Sequence, residues 1–302
     1  MDPQFSIIDA HHHLWDLQAC HYPWLMAIGV KRFFGDPTPI QKDYLIQDFF
    51  ADIGDLPVSA SVHIQVGVDE DQAVDETRWL QSVTDAKDSK GFPQGIVAFC
   101  NLVDTGAMEK LQEHRNYPNL RGVRQIVGRS PEEDANTDSA MLLDNPIWIE
   151  NLSRIAEYDL SFDLQLIPSQ ISKAREIFVE IPELKVALCH CGSPFDQSDE
   201  GFSFWKTQIK KLAELPNIYC KISGFGMFDH EWTVDSIRPI IINVIDIFTP
   251  ERCMFGSNFP VEKLYADYHA VWNAYMEIIK EFSLDEKQQL FADTARNFYS
   301  IN

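Results

Sequence analysis

Near the N-terminus the run Asp9-Ala10-His11-His12-His13-Leu14-Trp15 closes a short apolar stretch, Phe5-Ser6-Ile7-Ile8. Side chains alternate along a strand, so His11 and His13 share one face and His12 takes the other. Two imidazoles together at a strand end can ligate a metal ion or hold an oxyanion. His190, in Ala187-Leu188-Cys189-His190-Cys191-Gly192-Ser193, is a third candidate, as ligand or acid/base group. Its flanking Cys189 and Cys191 alternate away from it and read as packing residues. Arg124 offers a guanidinium fork that suits a carboxylate or a polarised carbonyl. His63 with Gln65, and Lys221 with Ser223, are further same-face pairs. Gln165, Asp163, Asn101 and Asn258 complete a set of polar residues where burial alone would select apolar ones. His21, His114 and His230 fall in loop or helix contexts and read as surface residues, with His230 the one near the others.

These residues share a position: each stands near the C-terminal end of an apolar, β-branched run. Eight such runs recur, at 5–10, 58–66, 95–101, 120–127, 160–167, 184–190, 217–223 and 252–257. Helical patterns fill the intervals at 69–88, 105–116, 145–158, 169–181, 202–215 and 234–248, and two more follow at 267–281 and 284–299. The last opens with Ser283-Leu284-Asp285-Glu286, the spacing of a capping box. Strand-then-helix repetition at this length predicts one (β/α)8 TIM barrel spanning 1–302 as a single domain. No G-x-G-x-x-G follows an early strand, which leaves a doubly wound dinucleotide fold without support. Long loops at 14–44, 128–144 and 224–233 would gather over the mouth. Trp15, Trp24, Phe33 and Phe34 in the first could cover a ring-shaped ligand or simply plug the barrel.

The chain has 302 residues, 45% hydrophobic and 24% charged, as expected of a globular protein. No apolar run reaches the roughly 18 residues of a membrane span, and no signal peptide is evident. A formal charge of −21 disfavours nucleic acid and anionic membranes as partners. A small anionic ligand remains open, since one arginine can reverse the field inside a pocket. The six cysteines lack CxxC spacing and read as buried thiols of a reducing, cytoplasmic compartment.

Several motifs together resemble the amidohydrolase-related branch of the metal-dependent hydrolase superfamily, which includes sugar lactonases and a pyrone-dicarboxylate lactonase. They are Asp9-Ala-His-His-His-Leu-Trp-Asp16, Tyr22-Pro-Trp-Leu25, Arg121-Gly-Val-Arg124, Cys220-Lys-Ile-Ser-Gly224 and Arg252-Cys-Met-Phe-Gly-Ser-Asn-Phe-Pro260. The resemblance runs from Ile7 to Tyr299. It matches His11 and His13 to the first-strand H-x-H and His190 to the sixth-strand histidine. Asn258 falls where the family's eighth strand ends in an Asp that serves as metal ligand, general base or both. Gln165 replaces a fifth-strand histidine, and Arg124 stands where binuclear members carry a bridging lysine, so a binuclear centre is not implied.

An amide has no useful basicity near neutral pH, so Asn258 cannot take a proton from water. The resemblance therefore implies hydrolysis of a small cyclic ester, a sugar-acid or carboxylated lactone, with His190 activating water. It does so directly or through one Zn²⁺ held by His11, His13 and His190, because the branch contains both metal-using and metal-free members. Arg124 would anchor the substrate, with Trp15, Trp24, His63, Gln65, Gln165, Lys221 and Ser223 around it. Two rival readings are a decarboxylase or isomerase of a carboxylated ring, and a small-molecule binder without turnover. A homo-oligomer is compatible with all three.

Overall fold

The computed structural model describes residues 6–134 and 138–301; Phe5 of the first expected strand, residues 135–137 of the second long loop and both extremes of the expected domain lie outside them. Eight parallel strands follow one another in sequence order, each overlapping one of the eight apolar runs. They are β1 (Ile7–His12), β2 (Val58–Ile64), β3 (Gly95–Phe99), β4 (Leu120–Arg124), β5 (Ser161–Leu164), β6 (Val186–Leu188), β7 (Ile218–Ile222) and β8 (Cys253–Phe255). The sheet curls until β8 meets β1. There Asn258 N donates to His11 O and His13 N to Phe259 O, each at 2.7 Å. Asp9 clamps the same seam, accepting from Ser257 N (2.8 Å), Ser257 Oγ (2.6 Å) and Tyr268 Oη (3.0 Å). The fold is a (β/α)8 TIM barrel.

The outer ring comprises α1 (Ile46–Ile53), α2 (Ala73–Asp85), α3 (Ala107–His114), α4 (Pro146–Ala156), α5 (Ile171–Phe178), α6 (Asp199–Ala213), α7 (Val234–Phe248) and α8 (Tyr268–Ile278). The sequence reading placed no helix between β1 and β2. α1 is short, but Ile46, Phe49 and Ile53 make one buried face, and Asp48 caps it by accepting from Leu45 N at 2.9 Å. The expected helix 284–299 begins with its capping box but is divided into Leu284–Gln288, a π turn Gln289–Asp293, and Thr294–Tyr299. That last piece lays Phe298, Tyr299 and Ile301 against Ile8, Ala10, Val62, Val97 and Met254 from the strands. It thereby closes the barrel beside Leu120 and Ser161, where β4 and β5 begin.

Three local readings are corrected by the fold. The apolar run 184–190 outlasts β6, and the chain then passes through left-handed conformations at His190 (φ 51°) and Cys191 (φ 55°). Strand alternation fails there. The Cys189 thiol is acted on by Asp163, Lys221 and Arg124 inside the barrel, whereas Cys191 joins Cys220 and Cys253. His114, expected at the surface, is fully buried, with Nδ1 2.9 Å from Thr77 Oγ1. All six cysteines are buried and unbridged. Among the described residues no helix is long and apolar enough to cross a membrane.

Candidate active site

The end of β1 carries a register shift between Asp9 and His12 against β2. A bulge of this kind re-aims side chains beside a site. His11 and His13 turn inward, their ring centroids 5.2 Å apart, while His12 stacks on Phe49 of α1 at 4.2 Å. His190 brings its ring to 4.5 Å from that of His11. Two glycines make the approach feasible. A Cβ on Gly256 would lie 2.7 Å from His11 Cβ, and one on Gly224 (φ 74°) 2.7 Å from His190 Nδ1. Asn258 follows β8 in the left-handed region (φ 58°), as does His190. Non-glycine residues rarely persist there unless their surroundings fix them.

The histidines are neutral. Burial holds His11 and His190 well below the ordinary imidazole value, with His190 and Lys221 reinforcing it at His11, and Arg124 and His13 at His190. His13 is pushed down to about 3 by burial and then by Arg124. The tautomers follow from the partners. His13 Nδ1 lies 2.8 Å from Ile64 O, and His190 Nδ1 is 2.9 Å from Ser223 Oγ. A carbonyl only accepts, so His13 is protonated at Nδ1 and presents Nε2 as a lone pair.

Above these rings a cavity of about 260 Å³ opens at the C-terminal face of the strands. His13, His190 and Asn258 line one side, Gln65, Arg124 and Gln165 another, and Trp15, Trp24, Phe33 and Phe34 a third. Arg124 is only 6% exposed and donates through Nη2 to Gln165 Oε1. Its Nε and Nη1 have no hydrogen-bond partner among the described residues. Two further guanidiniums, Arg32 and Arg129, line the cavity, and none of the described lining residues is an Asp or Glu. Arg32 pairs with Glu133 through two bonds of 2.6 and 3.1 Å, tying the first long loop to the second. Phe33 meets Phe195, and Phe195 meets Phe228, at 5.9 and 4.8 Å, which links the first loop to those after β6 and β7.

Three expected ligands lie elsewhere. Lys221 points into the barrel interior, fully buried, its Nζ 2.5 Å from Asp163 Oδ2. Tyr299 Oη donates to the same carboxylate at 2.9 and 3.0 Å. Ser223 is buried behind His190, as its hydrogen bond shows. His63 is fully buried between its neighbours, edge-on to His12 and His13, with Nε2 3.1 Å from Leu14 O. His230 stacks on Tyr265 at 4.2 Å in the loop after β7. Sequence reasoning in turn missed Arg32, Arg129 and Glu262. The first two were legible only as cations within loops already expected at the mouth. Glu262 was legible as an acid four residues beyond Asn258.

Three neutral imidazoles, one of them (His11) with both nitrogens unpartnered, have the donor chemistry of a zinc site. Their placement does not complete one. Among the described residues no three His, Cys, Asp or Glu side chains converge on a common point.

A barrel with histidines and polar strand ends around one mouth is the architecture of a TIM-barrel enzyme with its chemistry at the C-terminal face. The chain belongs to the amidohydrolase family, whose model matches residues 8–301. It is 40% identical over 304 residues to the uncharacterized protein y4mH of Sinorhizobium fredii, covering 98% of this chain and 99% of the other. It is 25% identical to an L-fucono-1,5-lactonase of Burkholderia ambifaria, with 98% and 96% covered. An amidohydrolase from Burkholderia multivorans, solved with bound HEPES, superposes with a TM-score of 0.83 at 23% identity, covering 98% of this chain and all of that one. The same protein in another crystal form, with bound zinc, gives 0.82 at 22%.

Proposed function

We propose that this enzyme hydrolyses a small lactone carrying a carboxylate. One observation carries the choice: Arg124 is buried in the cavity wall with two donors unpartnered, and the wall holds three arginines and no described acid. Leaving a buried guanidinium partly unsatisfied is costly, and a carboxylate would satisfy a free donor through a charge-assisted bond. Arg129 acts on Arg124 from the same wall, and Arg129 Nε lies 4.0 Å from the Glu133 carboxylate. Trp24, Phe33 and Phe34 supply apolar faces for the ring, while Gln65 and Gln165 meet its hydroxyls or carbonyl.

The chemistry then falls to His190 and Asn258. With Nδ1 donating to Ser223, His190 keeps Nε2 as the base. Nε2 takes a proton from water as the water oxygen bonds to the ester carbonyl carbon. The tetrahedral oxyanion collapses, the ring C–O bond breaks, and the imidazolium returns the proton to the leaving alkoxide. The product is the open hydroxy acid. Asn258 accepts or donates a hydrogen bond in this sequence and takes no proton. His13 completes the neutral wall, and the fully buried His11, which does not line the cavity, packs against the His13 and His190 rings.

The test is a panel of neutral and carboxylated lactones followed by pH-stat. The expected result is a kcat/KM at least about tenfold higher for carboxylated members, the size of one charge-assisted hydrogen bond. Equal rates for neutral members would overturn the substrate class. Evolved carbon dioxide would favour decarboxylation, and saturable binding without turnover would favour the binder. His190→Ala should lower kcat by about 10²–10⁴-fold. Metal analysis on protein purified without chelator tests the metal-free form; a full equivalent of zinc, lost together with activity, would overturn it.

A further inference from the structure

The strand-eight position has lost its acid, yet a carboxylate stands one helical turn further on. Glu262 N donates to Asn258 O at 3.0 Å, so the two residues are held in register by a backbone bond. The Glu262 carboxylate is buried, 2% exposed, behind the cavity side that Asn258 lines. Oε1 accepts from Gly226 N and from Trp232 Nε1, both at 2.8 Å, and so is filled by the loop after β7. Oε2 has no such partner among the described residues, and neither does Asn258 Nδ2. One is a lone acceptor and the other a lone donor, and the Asn258 amide acts directly on the Glu262 carboxyl. The same amide also acts on His13.

We propose that Glu262 is a positioning residue for Asn258: its carboxylate takes the NH2 end of the amide and turns the carbonyl end toward His13 and the cavity. An unfixed amide can present either end, and only the carbonyl end accepts an O–H. Fixed in this way, Asn258 Oδ1 and an imidazole lone pair form two acceptors that orient the two O–H bonds of the attacking water. The water's own lone pair then faces the ester carbon. The Asn-for-Asp departure thus keeps the acceptor while moving the negative charge one turn away, where it does not face the substrate's carboxylate. Oε1 is anchored by Trp232, so the geometry also depends on the aromatic loop after β7.

Burial raises the Glu262 carboxyl to about 7. The titratable groups facing it are Tyr265 and Tyr275, both raised above the ordinary phenol value and therefore neutral near pH 7. No cation contributes to its shift. Protonation weakens the hydrogen bond to the amide from charge-assisted to neutral, and Glu262→Gln imitates that state at every pH with little change in shape.

The experiment has two arms. On the best lactone, a kinetic readout that rests on the hydrolytic reading, wild-type kcat should rise about 10- to 100-fold through pH 7 while KM stays within about twofold, in the range of losses seen for outer supports of a site. E262Q should be flat, matching wild type at pH 5.5 and falling below it at pH 8. The second arm needs no substrate. With asparagine-selective ¹⁵N labelling, the Asn258 side-chain NH2 signals, assigned by their loss in N258D, should shift with a midpoint near 7 in wild type and stay put in E262Q. Moving NMR signals without any turnover would overturn the lactonase reading and leave the pairing intact. Signals that do not titrate, or an E262Q enzyme with wild-type kcat at pH 8, would overturn the positioning role.

Discussion

The Lys221–Asp163 pair separates two accounts of Lys221 by measurement. Both side chains are fully buried, and Tyr299 Oη donates to the same carboxylate. If Lys221 balances a charge inside the barrel, Lys221→Met leaves the Asp163 carboxylate in a low-dielectric layer with the Tyr299 phenol as its hydrogen-bond donor and the Arg124 charge acting on it. Removing one partner of a buried pair costs about 3–5 kcal/mol. At roughly 2.1 cal/mol/K per residue, unfolding this chain has an entropy of about 0.6 kcal/mol/K, so the loss corresponds to about 5–8 °C in Tm. Lys221→Met combined with Asp163→Asn removes both charges and keeps an acceptor for Tyr299, and should recover most of that shift. Differential scanning calorimetry at pH 7 reads the stability, and KM on the best lactone reads the site. A K221M protein within 2 °C of wild type with KM raised tenfold would refute the reasoning and return Lys221 to the cavity wall. A double variant no more stable than the single would refute the ion-pair account alone.

Two further outcomes follow from the buried charges. Arg124→Met should raise KM for a carboxylated lactone by about 10- to 100-fold, the worth of a charge-assisted bond, and leave KM for a neutral one within threefold; steady-state kinetics on matched lactones checks it. Stability should peak near pH 6.5. Burial raises Asp9 to about 6, Glu262 to about 7 and Glu76 to about 8, and each such acid contributes stability that is lost as pH rises through its folded value. Burial lowers His13 to about 3 and His63 and His114 to about 4, with His11, His12 and His190 also low, and their contribution is full above about 6.5 and lost as pH falls. Six histidines outweigh three acids below 6.5, and above it Glu262 and Glu76 act, the Asp9 contribution being lost around pH 6. Tm against pH should show this maximum, and Glu76→Gln should flatten its alkaline side.

The barrel was legible because each strand is buried on both faces and therefore appears as an apolar run. α1 was not, since eight residues give too few turns for a clear period. Polar residues at strand ends marked the mouth correctly for His13, Gln65, Arg124, Gln165, His190 and Asn258, all of which line the cavity. The same rule misplaced Lys221, whose neutralising partner sits on β5 and whose third partner comes from the last helix. Pattern along one strand carries no information about a residue 58 positions away. Cys189 and Cys191 are buried packing residues as expected, but they do not share a face, because strand alternation ends at Leu188 and a left-handed turn follows. Glu262 escaped notice because it belongs to no strand, and only the fold sets it behind Asn258.

Charge at two distances governs how an anionic substrate would reach this site. The chain as a whole carries a formal −21 and repels an anion at long range, while Arg124 and Arg129 attract it at contact. Salt acts unequally on the two. The Debye length falls from about 30 Å at 0.01 M to about 8 Å at 0.15 M, so the long-range repulsion is cut while a buried contact pair is screened much less. KM for a carboxylated lactone should therefore fall by about two- to fivefold between those ionic strengths, and KM for a neutral lactone should not move. An exposed arginine patch with no acidic surround would give the opposite sign. A KM that rises with salt for the carboxylated substrate would mean that the cavity arginines dominate from outside the protein, and that the net acidic surface plays no part in admission to the site.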